Sequence, residues 1–396
     1  MSLYPTLERW FGIPIPLDEM RPSVQANLSR AQGERRPESD LEVLNAAAAA
    51  DLHMRTVHEL TRDIGHAKVE SVRSKLAQMD PRSRQAWIRT ELAKRLGDID
   101  PVNNAQVSVH WTKKLPDATA EGITIGVESN ITVPLLLFRP PAKGRTPVVV
   151  AVAEGGKELF LAKRTQEIET LLKRGVAVCL PDVRGTGETS ADGRRDPEND
   201  ENLQAVNEEM LGETLVGRRL KDLRTVLSYL EHRQDLDSGR LALWGESLMP
   251  VNGERIALDE LPLWQVGPQI QQQGEPLGGL LAVFGALYDS NVKAVAVRNG
   301  LVSYSSILDD AFVYVPADIT IPGLLEAADL ADIEAVLAPR PIMLEDLVDG
   351  KNRLVPSDDL RRQLESLYDA YRAAPEELTV RRGQEPGVAA WLLAHL

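Results

Sequence analysis

The run Arg240-Leu241-Ala242-Leu243-Trp244-Gly245-Glu246-Ser247 carries a serine hydroxyl at the end of an apolar segment of strand type. Gly245 allows a tight turn, which would hold Ser247 at the carboxyl end of a buried strand with the Leu248 N–H beside it. A serine held this way can act as a nucleophile in acyl transfer, and the adjacent N–H can donate to the oxyanion that attack creates. An ordinary turn explains the same Gly-x-Ser. The G-x-S-x-G pattern has Met249 in its last place, so a side chain stands where close packing normally requires none.

Acyl transfer also needs a base, an acid to orient it and a scaffold to hold all three. The six histidines are His53, His58, His66, His110, His232 and His395. His53, His58 and His66 fall in a helical region, His110 in a strand-rich one and His232 at the end of a long helical stretch. Carboxylates that could follow a late strand, Pro341 to Leu344, are Asp346 and Asp349. There is no H-E-x-x-H, no cysteine cluster and no G-x-x-x-x-G-K-[ST], so we expect neither metal nor nucleotide and no cofactor.

From about 38 to 97, apolar residues recur at helical spacing, as in Leu41, Leu44, Ala48 and Leu52, and again in Val72, Leu76 and Met79. Pro81 predicts one helix stopping near Met79 and another leading to Trp87, Ile88, Leu92 and Leu96. Residues 1–100 therefore read as a helical lobe. Short strand-type runs at Gln106–Trp111, Gly122–Val127 and Thr132–Phe138 then read as an antiparallel ribbon. From Val148 onward buried-type strands (148–152, 176–180, 241–244, 292–297, 341–344) alternate with helices near 160–174, 207–232, 277–288, 357–372 and 387–395. That alternation predicts an α/β class, a mostly parallel, doubly wound sheet covered on both faces.

The chain has 396 residues, 43% hydrophobic and 26% charged, enough for one large core with an added lobe or for two domains. A formal net charge of −14 argues against nucleic acid or an anionic membrane as partner, since both require basic surface. The one cysteine, Cys179, lies in the apolar run 176–180 and reads as a small buried hydrophobe. No apolar run approaches the ~20 residues of a membrane span, and Met1 to Pro5 lack the features of a signal peptide. Localisation stays open.

With Pro181-Asp182-Val183-Arg184-Gly185-Thr186-Gly187 upstream of Ser247, and Pro276-Leu277-Gly278-Gly279 leading to Val292-Lys293-Ala294-Val295 downstream, residues 105–396 resemble the acetyl-xylan-esterase-like and dienelactone-hydrolase-like branch of the α/β-hydrolases. The resemblance implies an α/β-hydrolase domain over 101–396 and a carboxylic-ester substrate, either a small molecule or a carbohydrate ester. It implies Ser247 as nucleophile and oxyanion donors from Leu248 and from the Gly155-Gly156 loop after the first core strand. Turn formation alone also explains Gly155, Gly156 and the glycines of the Arg184 loop.

Three departures from the family pattern stand out. Residues 250–276 separate Ser247 from the small-residue helix that normally follows at once; with Pro262, Trp264, Pro268 and Gln271 to Gln273 they read as a lid or as a solvated insertion. In the acid loop, Asn352 stands in the aspartate's place, leaving Asp349 or Asp346 as candidates. The loop before the last helix, 380–387, holds no histidine, and His395 would lie roughly 10–12 Å from the expected place at ~1.5 Å per helical residue. The expected site is therefore Ser247, Asp349 and His395, or no complete triad at all. More faintly, Leu7 to Pro14 resemble the junction of tandem two-hydrolase polypeptides, which would supply a second hydrolase domain as partner. Two functions follow: an ester hydrolase with an unusual base, or a non-catalytic hydrolase-fold module that binds a glycan or scaffolds a partner domain.

Overall fold

The structure is a computed structural model that describes residues 9–12, 43–44, 48, 51–190, 200–258, 271–383 and 387–396. Contacts divide the chain into Met1–Thr56 and Val57–Leu396. The second unit contains α1 (Val57–Ala77), α2 (Pro81–Leu96), β1 (Val107–Lys114), β2 (Thr119–Glu128), β3 (Ile131–Arg139), β4 (Thr146–Val152), α3 (Gly156–Lys173), β5 (Ala177–Pro181), α4 (Asp200–Met210), α5 (Leu215–His232) and β6 (Leu236–Glu246). It continues with α6 (Leu277–Tyr288), β7 (Val292–Arg298), α7 (Leu330–Ala335), β8 (Ile342–Glu345), α8 (Ser357–Gln363), α9 (Glu365–Ala370), β9 (Leu378–Arg381) and α10 (Val388–His395).

The nine strands form one sheet in the order β1-β2-β3-β5-β4-β6-β7-β8-β9. β1, β2 and β3 are antiparallel and β3 joins β5 antiparallel; every pair from β5 through β9 is parallel. The central strands are apolar on both sides because helices cover both faces. Along β4, Val148, Val150 and Val152 enter one core while Val149 and Ala151 enter the other. The second core is closed by Phe160 and Ile168 of α3 and by Val388, Trp391 and Leu392 of α10.

Residue 100 is not a break in packing. α1 buries Gly65, Val69, Val72 and Leu76 at helical spacing, and α2 buries Ile88, Leu92 and Leu96. Val72, Leu76, Ile88, Leu92 and Leu96 belong to the same core as Val148 and Leu243, so the helices expected to form a lobe cover one face of the sheet. The break between them lies where Pro81 predicts it: Pro81 opens α2, and the Asp80 carboxylate caps it by accepting from the Arg82 and Ser83 amides at 3.0 and 3.2 Å.

Two local readings change. The single helix expected over 207–232 is two, because Gly212 takes φ +80° and Thr214 caps the second by accepting from the Gly217 amide at 3.0 Å. The loop expected over 380–387 begins inside a strand: β9, four residues that pair with β8, is too short for periodicity to mark.

Candidate functional site

Ser247 follows β6, which lies between β4 and β7 at the centre of the parallel sheet. Its amide donates to the Arg298 carbonyl at 3.1 Å, and the Asn299 side-chain amide donates to its carbonyl at 3.1 Å. Close packing explains the glycines here: a Cβ on Gly245 would lie 2.0 Å from the Gly278 carbonyl oxygen, and one on Gly278 would lie 2.5 Å from that of Val152. The amino end of α6 thus sits directly on the end of β6, although residues 250–276 intervene in the chain.

The Ser247 hydroxyl is turned inward. The residue is 2% exposed, and Oγ accepts from the Glu275 amide at 3.2 Å. A nucleophilic serine on a strand-to-helix turn is held in a strained conformation with Oγ presented outward. At this edge the non-glycine residues with left-handed backbone are Asn299, Asp346 and Asn352, at φ +51°, +55° and +54°, and Ser247 is not among them.

No imidazole of residues 57–396 bonds to Ser247. His58 bonds to the Leu308 carbonyl, His66 to Asp309, His110 to Thr124, His232 to the Ser228 carbonyl and His395 to the Trp391 carbonyl. His53 belongs to the unit before Val57. The expected base, His395, is thus among the imidazoles bonded elsewhere. The neighbouring Leu396 carbonyl accepts from Arg240 at 2.7 Å, near the start of β6. Seven residues at ~3.3 Å each separate Arg240 from Ser247, so His395 stands roughly 20 Å away, toward the opposite end of the strand. Its ring stacks on Trp391, 4.2 Å between centroids.

The expected acid, Asp349, is bonded within its own loop: its carboxylate accepts from the Lys351 and Arg353 amides at 2.9 and 3.0 Å. Asp346, at the end of β8, accepts from the Gly383 amide at 2.8 Å, so the histidine-free loop after β9 meets the carboxylate with main chain. Asn352 is buried and donates to the Pro250 and Gln272 carbonyls at 2.9 and 3.2 Å. Asn252 answers from the other side, bonding to the Lys351 and Gln272 carbonyls. The two asparagines sew both ends of the 250–276 excursion to the acid loop; Pro262, Trp264 and Pro268 lie outside the described residues.

No family model matches the chain, and no curated protein matches it. Solved structures do. A Bacteroides fragilis protein assigned as an acetyl xylan esterase superposes with a TM-score of 0.58 at 14% identity, over 79% of this chain and 78% of that one. A methylesterase gives 0.53 at 17% identity over 83% and 67%, and a promiscuous CE15 esterase from a marine bacterial metagenome gives 0.50 at 13% identity over 78% and 90%. The chain has the α/β-hydrolase fold.

Within that hydrolase fold, the loop after β4 does not leave its second glycine open to a ligand. The Gly156 amide donates to the Ala153 carbonyl at 3.0 Å; Gly156 takes φ +76°, and a Cβ there would lie 2.5 Å from Gly187 Cα, so both conformation and space call for glycine. Gly155, with φ −62°, is the residue before α3, and Leu248 packs half-buried against the second core. The Asp182 carboxylate, wholly buried, accepts from the Lys157 and Glu188 amides at 2.6 and 2.8 Å and pairs with the Lys157 ammonium. Arg184 forks onto buried Asp222 and reaches Glu128.

What sequence reasoning missed is a row of charges. Glu246, Arg298, Glu345 and Arg381 are the last residues of β6, β7, β8 and β9, and register sets them side by side across the sheet. Arg298 and Arg381 both bond to Glu345, and Arg164 of α3 forks onto Glu246. Burial pushes the Glu246 carboxyl up, and Arg164 then Arg298 pull it back. Strand ends alternating Glu and Arg were the available signal, invisible until the pairing is known.

Proposed function

We propose that this chain is a carboxylic-ester-hydrolase scaffold that binds a ligand or supports a partner domain, without turning over esters at Ser247. The observation that carries this reading is the Glu275 amide on Ser247 Oγ, with no imidazole of residues 57–396 bonded to it. A serine hydroxyl without a base is a weak nucleophile at neutral pH. Loss of serine or histidine from such a triad costs about a million-fold in turnover in a studied serine hydrolase, which is roughly 8 kcal/mol of barrier.

The competing reading is an acetyl-xylan-esterase-like hydrolase with Ser247 as nucleophile, a small-molecule or carbohydrate ester as substrate and Leu248 with the Gly155-Gly156 loop as oxyanion donors. It is supported by the place of Ser247 at the end of β6. Fluorophosphonate labelling and p-nitrophenyl acetate turnover of the wild type, Ser247→Ala and His395→Ala separate the two. The binding-module reading expects no label on Ser247 and the same slow background in all three proteins. Stoichiometric labelling of Ser247, or turnover that disappears in Ser247→Ala, overturns it.

A further inference from the structure

A cleft of about 1070 Å³ opens above the charged row, between α3 and α10, at the carboxyl ends of the strands. Arg164, Glu167, Arg298, Asn299, Glu345 and Asp346 are among its walls. Three backbone irregularities meet there. Arg164 leaves helical geometry inside α3, with φ −122° and ψ 22°, and forks onto Glu246. Asn299 and Asp346 both take left-handed φ. Such conformations cost free energy and persist where the surroundings impose them, often at ligand sites.

The charges are balanced and mostly close: Arg164 on Glu246 at 2.9 Å, Arg381 on Glu345 at 2.8 Å. Three contacts are looser: Arg164 to Glu167 and Arg298 to Glu246, each at 3.7 Å, and the two-pronged pair of Arg298 with Glu167. Arg298 Nη1 and Nη2 face the two oxygens of Glu167 at 3.4 and 3.5 Å, from sheet to helix, against about 2.7–2.9 Å for a closed charge-assisted fork. An arginine and a carboxylate held slightly apart match a pair of neighbouring hydroxyls, each of which can accept from the guanidinium and donate to the carboxylate. A net anion would meet Glu167 and Asp346 and a net cation would meet Arg164 and Arg298, so a neutral ligand suits these walls best.

We propose that this cleft binds a neutral, polyhydroxylated ligand, a saccharide whose vicinal diol is read by Arg298 and Glu167. This rests on the binding-module reading above and gives that module its ligand class. Asn299 lies between the cleft and the serine, since it lines the one and donates to the carbonyl of the other. Ser247 Oγ takes no part.

The test is calorimetric titration of the full chain with xylotetraose, cellotetraose and mannotetraose, with tri-galacturonate as the anionic comparison. Variants are Glu167→Ala, which removes the acceptor, and Arg298→Lys, which keeps the charge and loses the fork; thermal melting verifies that each is folded. Saturable binding of at least one neutral tetrasaccharide, weakened about tenfold or more in both variants, is the expected result. Binding of tri-galacturonate alone, no binding of any of the four, or neutral-sugar binding unmoved by either folded variant overturns the proposal. Labelling of Ser247 by fluorophosphonate would sink the non-catalytic reading and leaves these binding outcomes intact, so the two failures are distinguishable.

Discussion

The Glu275 amide donates to Ser247 Oγ at 3.2 Å, across 28 positions of sequence. This bond closes the base of the 250–276 excursion and makes the hydroxyl a structural acceptor. Removing it leaves a buried N–H without that partner, at a cost of about 1–3 kcal/mol. Ser247→Ala should therefore lower the urea-unfolding free energy by that amount while leaving ester background hydrolysis unchanged. A variant as stable as the wild type would show that the bond contributes nothing.

The contact of α6 with the sheet gives a second expectation. A methyl on Gly278 would meet main chain, 2.5 Å from the Val152 carbonyl oxygen, whereas one on Gly144 would meet nothing within 4 Å. Gly278→Ala should destabilise by about 1–3 kcal/mol, the usual cost of overpacking. Gly144→Ala should be neutral or stabilise by up to about 1 kcal/mol, through a less flexible unfolded chain. Chemical denaturation of the pair measures the contrast.

Asp222 is wholly buried and accepts from the Arg184 amide and from its guanidinium. Asp222→Ala strands a half-buried arginine, and breaking a buried pair this way costs about 3–5 kcal/mol. The urea midpoint should fall accordingly. A loss below about 1 kcal/mol would mean that Glu128 alone suffices for Arg184.

Stability should also fall with rising pH because of Glu334. Burial pushes its carboxyl well above the ordinary 4.5, and Asp329 and Asp332 push the same way. The folded chain then keeps a proton that the unfolded chain has released. The contribution is full below about pH 4.5 and declines above it, until the folded group itself ionises. The slope is at most ~1.4 kcal/mol per pH unit for this group. Glu334→Gln, neutral at every pH, should flatten the decline, leaving the parts due to other carboxyls that burial also raises, among them Asp329, Asp222 and Glu246. Unfolding free energies from pH 5 to 8 for the two proteins test this, and parallel curves would refute it.

The elements whose signals are local could be read from residues alone. β4 is apolar along its whole length and needs no context to be a buried strand, and Asp80-Pro81 is a helix start by chain stereochemistry. The alternation of strands and helices along the chain, the excursion after Ser247 and the missing histidine before the last helix were equally legible. β9 was not, because four half-buried residues gain strand character only from pairing with β8.

The sequence by itself determined the parallel sheet, the place of Ser247 at the end of a central strand and the absence of a histidine from the loop 380–387, since these depend on residue type and near neighbours. Only tertiary structure decided which way the hydroxyl faces, that Asn352 and Asn252 tie down the excursion, and that His395 lies toward the far end of the sheet. It alone aligned Glu246, Arg298, Glu345 and Arg381 into one row. The physical reason is that hydrogen bonds and ion pairs act over about 3 Å in space, while their partners here stand 20 to 156 residues apart in the chain.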